Sequence, residues 1–138
     1  MKILQICLIE DDSVDAENFM RILQKTGLIY QLHHVDDGKK AIFKLTELLQ
    51  NKAFPLLIAL DLKIPLVSGI EILGFLKKRF PSMKYDIIIT TTSDAPDDLK
   101  ILYDYKINAY FLKARLYKDL PLYIFKKYLS KFIRGAHA

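Results

Sequence analysis

The stretch that decides the fold is Pro55-Leu56-Leu57-Ile58-Ala59-Leu60-Asp61, an apolar run that ends on a carboxylate. A short run without polar alternation is typical of a strand that is buried on both faces of a parallel sheet. Open sheets of this kind place functional side chains just beyond the carboxyl ends of their strands. Asp61 is therefore the first candidate for a functional residue.

Four other runs have the character of strands, and helix-like segments follow all five. The strands are predicted over Lys2–Ile9, Tyr30–Val35, Leu56–Leu60, Asp86–Thr90 and Asn108–Leu112. The helices are predicted from Ser13 to Lys25, from the Asp36-Asp37-Gly38 turn to about Gln50, from Ser68-Gly69 to before Pro81, from Asp94 onward, and from Asp119 to Arg134. Parallel strands in this order require right-handed helical crossovers. We therefore expect one α/β domain over residues 1–138, a doubly wound (βα)5 sandwich with no output domain.

Composition narrows the class of protein. The chain has 138 residues, of which 51% are apolar, and its longest apolar run is far shorter than a membrane span. The start carries no signal peptide, so we expect a cytoplasmic protein without membrane partners. The single cysteine, Cys7, excludes an internal disulfide and is expected to be a buried small hydrophobe.

The net charge of +5 raises the question of nucleic-acid binding. The basic residues are spread along the predicted helices, and their densest group, in the final helix, consists of Lys126, Lys127, Lys131 and Arg134. A solvated helix face explains this distribution better than a phosphate-binding surface. We expect no nucleic-acid partner.

Polar residues stand at the ends of the other strands that flank Asp61. Glu10-Asp11-Asp12 follows the first strand, Thr91 follows the fourth, and Lys113 follows the fifth. An acid cluster, a lone Asp, a hydroxyl and a lysine at one edge of a sheet together indicate a metal site that accepts a phosphoryl group.

In this order and spacing, these residues resemble the receiver domain of bacterial response regulators. The motif comprises Glu10-Asp11, Asp61-Leu62-Lys63-Ile64-Pro65 with Gly69, Thr91 and Lys113, and the resemblance covers essentially the whole chain. It implies a flavodoxin-like sheet in the order 2-1-3-4-5. It also implies a phosphoprotein of a two-component phosphorelay, in which a sensor histidine kinase or phosphotransfer protein is the partner. Such a protein is no enzyme beyond its own phosphorylation and dephosphorylation.

The resemblance implies Mg²⁺ as the cofactor. Asp11 and Asp61 would bind the ion directly, together with the Lys63 backbone carbonyl, and Glu10 would bind through water. Crowded carboxylates repel one another, and a cation with hard oxygen ligands removes that repulsion.

The resemblance also implies the roles at the phosphoryl group. Asp61 would be the phosphoacceptor, Lys113 would pair with the phosphoryl oxygens, and the Thr91 hydroxyl would donate a hydrogen bond to one of them. Tyr110 would be a rotamer switch, although a plain core role is the alternative. Asp12 is expected to cap the first helix rather than bind metal.

Other polar residues are kept out of the site. Asp36 and Asp37 are read as turn residues, and His33, His34 and His137 as surface residues.

The chain departs from the family's pattern at three positions. Ala114 follows Lys113 where the family usually has proline, Glu10 replaces the commoner Asp, and Thr92 stands where Ala or Gly is frequent. The loop after the fifth strand is therefore expected to differ in shape. These features resemble the stand-alone regulators that partner phytochrome-type sensor kinases.

Two other classes of function share part of this pattern. A phosphatase of the haloacid dehalogenase type also uses an Asp after a strand, but it needs a second acid where this chain has Lys63. A pseudo-receiver, which binds partners without phosphorylation, would be favoured by the loss of an acidic or Lys position, and none is lost.

The final helix suggests a homodimer through the fourth helix, fifth strand and fifth helix. Its apolar residues form two stripes, Leu120, Ile124 and Tyr128 on one, and Leu122, Phe125, Leu129 and Phe132 on the other. One helix is unlikely to bury both stripes against a sheet, although the sequence does not say which faces it.

Overall fold

The computed structural model describes residues 3–92, 100 and 103–129. Five parallel strands form one sheet in the order β2-β1-β3-β4-β5. Their bounds are β1 Leu4–Ile9, β2 Tyr30–Val35, β3 Leu56–Asp61, β4 Asp86–Thr91 and β5 Ala109–Leu112. The predicted doubly wound sheet and its strand order are confirmed.

Three helices cross between the first four strands, and each begins at a side-chain cap. They are α1 Ser13–Lys25, α2 Gly38–Gln50 and α3 Gly69–Arg79. The side chains of Asp12, Asp37 and Ser68 accept the backbone N–H of the third residue that follows, which satisfies a donor that the helix itself leaves free. The first helix is thus capped by Asp12, as expected, and Ser13 is its first residue. Asp37, expected to be a turn residue, caps α2.

Helices cover both faces of the sheet. One core lies between the sheet and α2 and α3, and it includes Cys7, whose burial raises the pKa of its thiol to about 12. The second core joins the sheet to α1 and to the C-terminal helix, Leu116–Ile124. Because the apolar side chains of β1 and β3 point alternately to these two cores, both strands are apolar along nearly their whole length.

The C-terminal helix begins three residues earlier than the sequence indicated. A 3-10 turn over Lys113–Arg115 leads directly from β5 into it, so Leu116 rather than Asp119 is its first residue. Leu116 is buried beneath the helix, which explains the early start. The last described residues, Phe125–Leu129, form a π-helical turn.

Some predicted features fall outside the described residues. The expected N-cap Asp94 lies there, as do Phe132 and the predicted helix end at Arg134. Within the part of the chain that the structure describes, no helix has the length and apolar character needed to cross a membrane. The expectation of a single domain without an output domain stays a prediction.

Candidate functional site

The candidate site lies where the carboxyl ends of β1, β3 and β5 meet. Asp61 is the last residue of β3, Glu10 follows β1, and Lys113 follows β5. Side chains alternate along a strand, so Asp61 continues the face of Ala59, which belongs to the core beneath α1. All three functional side chains therefore emerge on the α1 side of the sheet edge.

Backbone contacts hold the Asp61 carboxylate in place. Its Oδ1 accepts the Lys63 backbone N–H at 3.0 Å, while the Lys63 side chain is exposed. The Gly69 backbone N–H donates to the Leu62 carbonyl oxygen at 3.1 Å and closes the loop between β3 and α3. A Cβ at Gly69 would lie 2.6 Å from the Leu62 Cα and 2.8 Å from the Asp61 carbonyl oxygen. Gly69 is thus required by this close approach of two backbone segments.

The loop that carries Glu10 is fixed from the edge strand β2. The Glu10 backbone N–H donates to the Val35 carbonyl oxygen at 3.0 Å, and the His34 Nε2–H donates to the Glu10 carbonyl oxygen at 2.8 Å. His34 is exposed, as expected of a surface residue. His33 is half-buried and bonds to Gln5 at 2.8 Å, so it is better described as part of the strand pairing.

Glu10, Asp11 and Asp61 form an acid cluster. One carboxylate oxygen from each lies within 4.8 Å of the other two. Glu10 and Asp61 are buried, with 3% and 6% of their surface exposed, whereas Asp11 is exposed. The sequence predicted this grouping, and the structure brings the three side chains together.

The Lys113 ammonium is the counter-charge of this cluster. Its Nζ lies 2.7 Å from Glu10 Oε1, 3.0 Å from Asp61 Oδ2 and 2.8 Å from Asp15 Oδ2. Burial alone would lower the pKa of Lys113, but its hydrogen bonds to Asp15, Glu10 and Asp61 hold that pKa above the usual range. The lysine therefore carries its full charge at neutral pH.

Burial and the ion pair with Lys113 shift the pKa of Glu10 in opposite directions. Burial together with the neighbouring Asp61 carboxylate raises the pKa of Glu10 to about 7, despite the hydrogen bond from Lys113. Three acids share one ammonium here, so the site has an excess of negative charge. Such an excess favours an added cation.

The residues present fit a hard divalent cation. The acid cluster supplies oxygen ligands from three side chains, converging from two strand ends. Oxygen donors with an open side toward water suit Mg²⁺ or Mn²⁺ rather than a soft metal. The buried carboxylates also lack enough positive charge of their own, because Lys113 is the one cation that contacts them among the described residues.

The other expected site residues lie around this centre. Thr91 ends β4 and is 2% exposed, with Leu112 beside it on β5. Tyr110 is half-buried and packs against the core on the α2–α3 side. By strand alternation, Thr91 and Tyr110 lie on the opposite face from Asp61 and Lys113.

Comparison with known proteins assigns this arrangement to a family. The family model for the response regulator receiver domain matches residues 6–124. The chain belongs to this family. The predicted resemblance is confirmed over most of the sequence.

Two curated relatives are similar to this receiver domain. A probable methanogenesis regulatory protein, FilR2 of Methanothrix harundinacea, is 31% identical over 117 residues, which are 83% of this chain and 75% of the relative. Response regulator Rcp1 of Synechocystis is 31% identical over 117 residues, covering 83% of this chain and 80% of Rcp1.

Solved structures agree in fold. The Mn²⁺-bound form of Rcp1 aligns with a TM-score of 0.74 at 27% identity, over 91% of this chain and 94% of Rcp1. The phosphorylated cyanobacterial phytochrome response regulator RcpA aligns with a TM-score of 0.77 at 26% identity, over 92% of this chain and 94% of RcpA. The predicted similarity to phytochrome-type regulators is thus supported at the level of sequence and fold.

Sequence reasoning missed two residues of this receiver domain's site. Asp15, in the first turn of α1, contacts Lys113 directly. Thr90, one residue before the expected Thr91, lines a cavity of about 10 Å³ together with Glu10, Asp15 and Lys113. Asp15 lies in the first turn of α1, three residues after the N-cap Asp12. No spacing pattern in the sequence identifies it, because its contact with Lys113 joins residues that are far apart along the chain.

Proposed function

We propose that this receiver domain accepts a phosphoryl group on Asp61 from a sensor histidine kinase or phosphotransfer protein. The observation that carries the proposal is a buried Asp61 carboxylate that contacts an ammonium and lies within 4.8 Å of two further acids. Membership of the receiver domain family supports the same chemistry.

The transfer is an in-line displacement at phosphorus. An Asp61 carboxylate oxygen attacks, an O–P bond forms, and the bond from phosphorus to the donor's leaving nitrogen breaks, with the electron pair staying on that nitrogen. The Lys63 N–H holds Oδ1 at 3.0 Å and Lys113 holds Oδ2 at 3.0 Å. The carboxylate plane is thus fixed before the donor arrives.

Mg²⁺ is the proposed cofactor. Asp11, Asp61 and the Lys63 backbone carbonyl would hold it, with Glu10 reaching it through water. When bound, the ion neutralises charge that develops on the phosphoryl oxygens. The acid cluster and the Mn²⁺-bound structure of Rcp1 support a divalent ion here.

The remaining roles concern the phosphorylated state. Lys113 would donate to one phosphoryl oxygen. The Thr91 hydroxyl, on the α2–α3 face at the end of β4, would turn toward the sheet edge to donate to another, and Tyr110 on the same face would act as the rotamer switch. The exposed surface of the C-terminal helix would then serve as a homodimer contact. Leu122 and Phe125, exposed by 55% and 50%, support that surface.

Phosphorylation can be tested without any protein partner. The protein is incubated with acetyl phosphate and Mg²⁺, and its intact mass is measured. We expect the mass of one phosphoryl group to be added to the wild type and to Asp12→Asn, but not to Asp61→Asn. Asp12 is the matched control because it is an exposed carboxylate next to the cluster whose side chain caps α1. An unmodified wild type would instead favour a pseudo-receiver.

A further inference from the structure

An ion pair to α1 distinguishes the surroundings of Lys113. Asp15 Oδ2 lies 2.8 Å from the Lys113 Nζ, as close as the two acids of the cluster that contact it. Asp15 does not belong to the acid cluster of Glu10, Asp11 and Asp61. The metal site therefore does not account for the contact between Asp15 and Lys113.

The three contacts of Lys113 use all of its hydrogen-bond donors. An ammonium group has three N–H bonds, and they face Glu10, Asp15 and Asp61. A phosphoryl group would change the charge at Asp61, and a bound cation would offset the charge of Glu10. Asp15 is the partner that neither event alters.

The position of Asp15 is itself fixed. Its backbone N–H donates to the Asp12 side chain at 2.9 Å, within the cap of α1. The next residue, Ala16, is 2% exposed, and Phe19 one turn further is also 2% exposed, so the start of α1 is packed on the sheet. The Lys113 side chain is 12% exposed and that of Asp15 35%. A pair on such a rigid support is more constrained than an ion pair between two mobile surface side chains.

We propose that Asp15 is a positioning residue that anchors the Lys113 ammonium to α1 and aims one of its N–H bonds at the phosphoryl group on Asp61. This inference rests on the proposed phosphorylation of Asp61. Asp15 touches neither the phosphoryl group nor the cation, and it acts through Lys113. Only one donor of the lysine then has to move from Asp61 Oδ2 to a phosphoryl oxygen, while the donor on Asp15 stays in place.

A first test measures the anchor without any reaction. Nitrogen NMR of the metal-free protein detects a lysine ammonium whose protons exchange slowly because it is held by hydrogen bonds. We expect a slowly exchanging Lys113 signal, assigned by its absence in Lys113→Ala, that is lost in Asp15→Asn. It should be retained in Glu17→Gln, a change at an exposed acid two residues further along α1. An unchanged signal in Asp15→Asn would overturn the anchor.

A second test is a double-mutant cycle on the rate of phosphorylation by acetyl phosphate with Mg²⁺. The cycle compares the wild type, Asp15→Asn, Lys113→Ala and the double variant, each at saturating and at low phosphodonor concentration. We expect roughly a tenfold loss at saturating donor in the wild type, because misplacing a catalytic group by about 1 Å costs up to on the order of a hundredfold. In the Lys113→Ala background the same change should have no further effect.

Each contrary result has a distinct meaning. Equal losses from Asp15→Asn in both backgrounds would show an effect of charge or folding and would refute the positioning role. Glu17→Gln makes the same change of charge at an exposed residue of the same helix, so a tenfold loss there would refute it as well. A wild type that never gains a phosphoryl group would contradict the proposed function, and the NMR result would still decide whether Asp15 anchors Lys113.

Discussion

The three acids of the cluster differ in exposure and in whether they contact Lys113, and therefore in how readily they can bind a cation. Glu10 and Asp61 are buried and already contact Lys113, whereas Asp11 is exposed and lies beside them. A cation arriving from water therefore meets in Asp11 a ligand that does not have to leave the lysine. Asp11 should contribute more to metal affinity than its surface position suggests.

We predict that Asp11→Ala weakens Mg²⁺ binding by at least about tenfold, because a direct oxygen ligand is removed from a site that holds the ion with few protein atoms. Glu10→Ala should weaken it less, since Glu10 is expected to reach the ion through water. Calorimetric titration of the unphosphorylated protein measures both. Asp12→Asn is the control, and its affinity should match the wild type. Equal affinities in Asp11→Ala and the wild type would show that Asp11 is not a ligand.

Two glycines of α3, Gly69 and Gly74, differ in the space around them. A Cβ at Gly69 would press on the backbone of Leu62 and Asp61, which has no side-chain freedom to yield. A Cβ at Gly74, in the middle of α3, would lie 3.7 Å from the Tyr105 hydroxyl, an ordinary contact distance. We predict that Gly69→Ala destabilises the protein by about 1–3 kcal/mol through overpacking. Gly74→Ala should stabilise it by about 0.5–1 kcal/mol through helix propensity.

Urea unfolding of the two alanine variants measures this difference. Gly69→Ala should also slow phosphorylation, because the loop that it displaces follows Asp61 directly. Similar stabilities of the two variants would mean that the close approach at Gly69 is relieved at no cost.

The two apolar stripes of the C-terminal helix have different surroundings. Leu120 and Ile124 are fully buried, and Tyr128 packs beside them and donates to Asp86 Oδ2 at 2.7 Å. Leu122 and Phe125 of the other stripe are about half exposed. The sequence left open which stripe faces the sheet, and the structure assigns that role to the first.

The π-helical turn changes the second stripe. Leu129 was expected to share a face with Leu122 and Phe125, but it is half-buried against the core beneath the helix. A π turn contains more residues than an α turn, so residues beyond Phe125 are rotated relative to α-helical spacing. A pattern based on 3.6 residues per turn cannot anticipate this rotation.

Alanine substitutions, one in each apolar stripe, test which stripe faces the sheet. We predict that Ile124→Ala costs about 2–5 kcal/mol in free energy of unfolding, because it leaves a cavity in a closed core. Leu122→Ala should change it by less than about 0.5 kcal/mol, because the side chain is already largely in water. Thermal or urea unfolding at low protein concentration measures both, and comparable losses would contradict the assignment of the faces.

The convergence of the site residues was predictable where it follows from the order of the strands in the sheet. Parallel strands end at one edge, so Glu10, Asp61 and Lys113 had to converge once the sheet was recognised. Asp15 was not found, because its contact depends on how α1 packs across the end of β5. Helix packing is set by side chains from distant segments, and the local sequence does not carry that information. The missed start of the C-terminal helix has the same cause, since burial of Leu116 determines it.

Apolar side chains are exposed on the C-terminal helix, outside the two cores. Tyr117, Leu122 and Phe125 expose 69%, 55% and 50% of their surfaces on the C-terminal helix. Exposed apolar side chains grouped on one element indicate an interaction surface, and a two-fold dimer buries the same patch on both subunits. We predict a concentration-dependent homodimer in sedimentation velocity at micromolar protein, strengthened by phosphodonor. Phe125→Glu should shift it to monomer, while Phe43→Glu, at a residue 74% exposed on α2, should leave it unchanged. Monomers alone in the wild type, with and without phosphodonor, would contradict self-association, and equal effects of both variants would place the contact elsewhere.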